Sequence, residues 1–108
     1  MVKPPAKLKP KPTSVHRPEH GVVAQLLREL RLAANLTQAE AAAHVGITQA
    51  GVSEMETGAR GLDLLVVRDL VIAYGADWPA VISELDRRIA AGLKPASALM
   101  KRKLRAKK

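Results

Sequence analysis

The 108-residue sequence contains no cysteine, which excludes a disulfide framework and any cysteine-bound zinc site and is compatible with a reducing compartment. No apolar run reaches the length of a membrane span. The first ten residues, Met1 to Pro10, have no apolar stretch after their lysines, so no secretory signal is expected and the expected location is the cytoplasm. There is no glycine-rich phosphate loop and no serine with a convincing general base. Glu84 and Asp86 stand two apart, a spacing that points them in different directions on a helix rather than forming a carboxylate pair. His16 and His20 make no spaced metal-ligand set, and His44 is expected to be an exposed or half-packed helix residue. The expectation is a protein that is not an enzyme and uses no cofactor or metal.

The residues present are strongly but unevenly charged. The formal net charge is +8 and the sequence pI is about 10.3, a balance that suits a nucleic acid or an anionic surface. Residues 1–20 carry five Lys or Arg against one Glu, residues 94–108 carry seven against no acid, and residues 21–93 carry six against nine. The positive field therefore lies at the ends, and non-specific affinity is expected to depend on those ends and on salt. Residues 1–20 also hold five of the seven prolines, which favours an extended, disordered basic arm able to lie on a DNA backbone or in a minor groove. Residues 21–93 are expected to form one small all-α domain, and residues 94–108 a basic C-terminal tail.

The middle of that domain is punctuated by helix caps. Thr37 stands three residues before Glu40, the spacing at which a hydroxyl and a carboxylate cap each other's backbone amides. Ala39 to Ala42 are helix formers, and Gly46 can end the helix in a left-handed conformation. Thr48 can cap a next, short helix that Gly58 ends. Val52 and Met55 give that helix an apolar face, while Gln49, Ala50, Ser53 and Glu54 occupy the other. Two short helices meeting at a tight corner, the second exposing small polar side chains, form a helix-turn-helix sized for the DNA major groove.

Three further helices complete the reading. Val22, Val23, Leu26, Leu27, Leu30 and Ala34 repeat at helical spacing from Val22 to about Ala34, with Arg28 and Glu29 facing water. Asp63 can cap a fourth helix with Leu64, Val67, Leu70, Val71 and Tyr74 inward, ended by Gly75. Asp77 precedes a fifth with Pro79 in its first turn, running to about Ala91 with Trp78, Val81, Ile82, Leu85 and Ile89 along one side. That stripe either closes the core or meets the same helix of a second subunit.

Residues 26–76 resemble the phage repressor and Xre-type helix-turn-helix family. The likeness rests on Leu-Arg-Glu-Leu-Arg at Leu27–Arg31, on Leu36-Thr37-Gln38 with Ala41, Gly46 and Ile47, on Val52-Ser53-Glu54-Met55-Glu56-Thr57-Gly58, and on Leu70–Gly75. Asn35 stands where the family often has glycine, and it also tolerates left-handed geometry. The resemblance implies a five-helix repressor-like fold that binds double-stranded DNA. It implies that Gln38 bonds a phosphate, that Thr48, Gln49, Ala50 and Glu54 meet base edges with Ser53 nearby, and that Arg60 contacts the backbone. Side-chain chemistry adds that Gln49 suits adenine, Ala50 a thymine methyl and Glu54 the amino group of cytosine. A carboxylate facing a polyanion is otherwise repelled, so pairing of Glu54 with Arg60 is the competing role. Arg31 and Glu56 match a structural pair that holds the recognition helix at its angle.

The function implied is sequence-specific transcriptional repression or regulation by a homodimer on a palindromic operator. Two alternatives stay open: an antitoxin that represses its own operon and holds a toxin through a tail, and a weakly specific coactivator or nucleoid-like module contacting the transcription machinery. No effector domain is visible in the sequence.

Overall fold

The computed structural model describes residues 14–92. They form a short 3-10 turn, Ser14–His16, and five α-helices: α1, Pro18–Ala33; α2, Gln38–Val45; α3, Gln49–Thr57; α4, Leu64–Ala73; and α5, Trp78–Ala90. No strand occurs among the described residues. Residues 1–13 and 93–108, which hold most of the expected arm and all of the expected basic tail, lie outside them.

The caps form as the local sequence dictates. Thr37 Oγ1 accepts from the Glu40 amide at 3.0 Å, and Glu40 Oε1 accepts from the Thr37 amide at 2.8 Å. The hydrogen bonds from Thr37 hold the Glu40 carboxyl below its ordinary range. Thr48 Oγ1 caps α3 through the Gly51 amide. Asp63 caps α4 through the Leu65 and Val66 amides, and Asp77 caps α5 through Ala80. Gly46 and Gly58, at φ +75° and +77°, occupy the left-handed region that L side chains avoid. Asn35 is the one non-glycine residue there among those described, at φ 59°.

α1 begins at Pro18, not at Val22. Proline suits a first helical turn because its missing N–H has no partner there in any case, so Pro18 starts α1 in place of the proline-rich extended arm that composition favours. Ser14–His16 and Pro18–His20 thus belong to helical structure, with Arg17 extended between them, and His20 is buried.

Two apolar clusters share the core. Ala41, Met55, Leu70 and Tyr74 join α2, α3 and α4. Leu27, Val67 and Val71 join α1 to α4, with Trp78 and Val81 packed against them. α5 therefore does close the core, although none of its residues is fully buried. Leu64, expected inward, is 67% exposed. The α4 sequence Leu-Leu-Val-Val-Arg-Asp-Leu-Val-Ile-Ala is apolar on nearly every side, so its period does not choose the buried face, and Val66 takes the partly buried place instead.

Glu29, expected to face water, is half-buried and accepts from Arg88 Nη2 at 2.8 Å, tying α1 to α5. Arg88 Nε also reaches Glu84, as does Arg87. Hydrogen bonds from Arg87 and then Arg88 hold the Glu84 carboxyl down at about 2. This ionic latch fastens the C-terminal half of α5 to α1.

A candidate DNA interface on α2 and α3

The site is built outward from one buried ion pair. Arg31, in the last turn of α1, is 7% exposed and Glu56, near the end of α3, is 8% exposed. Arg31 Nε and Nη2 donate to the two Glu56 carboxylate oxygens at 2.6 and 2.9 Å. This two-point geometry fixes the carboxylate plane as well as its distance. Arg31 Nη1 also donates to the Leu36 carbonyl at 2.8 Å, so the same guanidinium holds the turn that leads into α2. The Glu56 bond, opposed by burial, raises the Arg31 pKa above its ordinary value.

From Glu56 a chain of hydrogen bonds runs to the surface. Gln38, the first residue of α2, donates Nε2 to Glu56 Oε1 at 3.1 Å. Its amide oxygen accepts from Gln49 Nε2, on the first residue of α3, at 2.6 Å. Each bond uses one end of the Gln38 amide, so the buried carboxylate selects its orientation and Gln38 in turn selects that of Gln49. One amide proton and the oxygen of Gln49 stay available for a planar, two-point partner such as an adenine edge.

The remaining candidate residues surround this pair. Gln49, Ala50 and Glu54 are exposed, Ser53 is half-buried, and Val52 and Met55 face the core. Thr48 uses its oxygen as a cap acceptor, which leaves its hydroxyl proton to donate. Arg60 Nη1 stands 3.6 Å from Glu54 Oε1, both side chains being about half exposed. A Cβ on Gly51 would lie 3.3 Å from that same Nη1, so Arg60 folds back across the first turn of α3 in a place that glycine opens. The structure thus brings Gln38, Gln49, Thr48, Glu54 and Arg60 around one end of α3, with Ala50 and Ser53 on the same helix.

Two features of this region have no counterpart in the sequence pattern. One is the Gln38–Gln49 bond. The other is His20, whose ring Cδ2 lies 3.6 Å from where a Gly58 Cβ would stand. Its burial against the end of α3 carries no periodic signal, because it precedes the apolar stripe of α1.

The electrostatics of the described residues do not favour a polyanion. All ten acids of the protein lie within residues 14–92, with seven arginines, and all nine lysines lie outside them. Anion attraction on this face therefore rests on Arg60, on neutral donors and on charge from outside the described residues.

Residues 22–85 match the family model of the helix-turn-helix domain. The match spans more than half of the chain and includes all of α2 and α3, and the protein belongs to this family. Helix-turn-helix domains bind DNA by laying the second helix of the motif, here α3, in the major groove. No curated protein matches the sequence. No helix among the described residues is long and apolar enough to cross a membrane.

Proposed function

We propose that the protein is a sequence-specific double-stranded DNA-binding regulator of the phage repressor and Xre type, which represses transcription as a homodimer on a palindromic operator in the cytoplasm. The observation that carries this reading is the relay from Arg31 through Glu56 and Gln38 to Gln49. A side chain meant only for solvent needs no such positioning, whereas a base-reading amide gains from being held before it meets the base. Gln38 then bonds a phosphate, Gln49, Ala50 and Thr48 meet base edges, Ser53 lies beside them, and Arg60 holds the backbone. Glu54 serves chiefly as the partner of Arg60 and reads cytosine where one is presented.

Dimerisation is supported by Leu65 and Ile72, two helical turns apart on α4 and 68% and 49% exposed. Exposed apolar side chains one above the other on a helix suit a self-complementary contact. The concentration of cationic residues outside the domain supports a second reading, a weakly specific binder driven by electrostatics. The test is binding of Gln49→Ala to duplexes that differ from a selected site one base pair at a time. A loss of about 1 to 3 kcal/mol confined to one position per half-site supports base reading. An equal loss on every duplex contradicts it.

A further inference from the structure

The outward side of α4 carries a pattern that a second copy of the same helix completes. Leu65 and Ile72 are 68% and 49% exposed, and Arg68 and Asp69 between them are exposed as well. No ion pair among the described residues takes up the charge of Arg68 or of Asp69. None of the residues assigned to DNA lies on α4.

The helical period fixes how these four side chains lie. At about 3.6 residues per turn, Ile72 stands two turns beyond Leu65 and within about 20° of it around the axis. Arg68 and Asp69 then fall about 50° to either side of the line joining the two apolar residues, at heights that differ by only about 1.5 Å. The face is therefore an apolar ridge with a cation on one flank and an anion on the other.

Two such ridges can meet about a twofold axis in two ways. With the helices antiparallel, each flank meets its own kind, so that Arg68 stands against the partner's Arg68 and Asp69 against the partner's Asp69. With the helices parallel and the axis running along them, opposite flanks meet, and each Arg68 faces the partner's Asp69. The parallel register also sets Leu65 against the partner's Leu65 and Ile72 against the partner's Ile72. Juxtaposed like charges disfavour an arrangement and opposite charges favour it, so the charge pattern selects the parallel one.

We propose that two copies of the protein associate through parallel α4 helices, with Leu65 and Ile72 in the middle of the contact and two reciprocal Arg68 to Asp69 ion pairs along its flanks. The proposal rests on the homodimer reading above and adds to it the surface, the register and the direction of the helices. The contact spans about two turns of one helix, less than the roughly 1,200 to 2,000 Å² of a stable interface requires. Association through it is therefore weak in free solution, and it is best read by covalent trapping.

The wild-type chain has no cysteine, so Leu65→Cys or Ile72→Cys in the full-length protein supplies the sole thiol of each chain. Under mild oxidation without DNA, each variant is expected to form a disulfide-linked dimer with itself. An equimolar mixture of the two should give almost no linkage between positions 65 and 72. At low salt, Arg68→Asp or Asp69→Arg is expected to slow trapping of the Leu65→Cys protein about tenfold, and the two together to restore it to within about threefold. Unchanged helicity by circular dichroism verifies that these variants fold. Linkage only between positions 65 and 72, or equal yields of all three linkages, would overturn the parallel register, as would a double charge exchange that fails to restore trapping. No trapping at either position would overturn the proposed face. The homodimer reading would still stand in each of these cases if two subunits occupy one duplex, and it fails separately if only one does.

Discussion

Gln49 Nε2 donates to Gln38 Oε1 at 2.6 Å, joining the first residues of α2 and α3 across the turn between them. The two amides form one unit, because the oxygen that Gln38 presents is fixed by the bond from its own Nε2 to Glu56. Gln38→Ala is therefore expected to weaken DNA binding in two ways, by removing a phosphate ligand and by freeing Gln49 to rotate. A double-mutant cycle with Gln49→Ala on a selected operator should show the two effects to be non-additive by about 0.5 kcal/mol or more. Additive effects would mean that the bond between the two amides plays no part on DNA.

Arg31 and Glu56 join the last turn of α1 to the end of α3, and removing one partner leaves the other buried without its counter-charge. Arg31→Ala or Glu56→Ala is expected to cost about 3 to 5 kcal/mol of folding stability, read as a lowered midpoint in urea. DNA binding by these variants should fall at least as far as the folded fraction, and at low temperature or in a stabilising osmolyte it should return only in part, because the relay to Gln38 and Gln49 is broken. Wild-type stability together with abolished binding would instead make Arg31 a direct DNA ligand.

Tyr74 is the only tyrosine, and its hydroxyl is buried without a hydrogen-bond partner among the described residues. Burial first, and the nearby Glu56 charge second, push its pKa up to about 12. The folded pKa is raised above the unfolded value, so this contribution to stability is fully present below pH 10 and is lost as pH rises through about 12. The tyrosinate absorbance should therefore appear well above pH 10 and coincide with loss of helicity. A tyrosine that ionises near pH 10 while the helices persist would contradict this placement.

The parts of this fold legible in the sequence are those set by residues three or four apart. Thr37 with Glu40, Thr48, Asp63, Asp77 and the left-handed glycines act within one turn, so spacing alone reveals them. The helical stripes of α1 and α3 are legible for the same reason, each having one clearly polar side. α4 lacks such a side, and the inward place expected for Leu64 is wrong accordingly. Interactions that depend on how helices cross are not legible. Glu29 meets Arg88 fifty-nine positions away, and His20 settles under Gly58 only because α1 begins earlier than its apolar repeat. Spacing gives no sign of the Arg31–Glu56 pair, which enters only through the family resemblance. At the candidate interface, residue types can be assigned to the exposed face of α3, but the bond that orients Gln49 depends on the angle between two helices.

Removal of residues 94–108 takes away seven Lys or Arg and no acid. Affinity is expected to fall for every duplex alike, and the dependence of log K on log salt to flatten by up to about 0.9 for each phosphate no longer neutralised. Preference among sequences should be unchanged. A truncated protein that keeps its salt slope would place the electrostatic interactions elsewhere.

Whether α3 reads base sequence from a twofold dimer is decided by enrichment of bound duplexes from a random-sequence pool, using the full-length protein at two salt concentrations. An imperfect inverted repeat is expected, with half-site centres about one helical turn apart, and its enrichment should persist at the higher salt. Recovery of unrelated sequences whose binding vanishes at the higher salt would contradict base reading by α3 and leave an electrostatic binder without sequence preference.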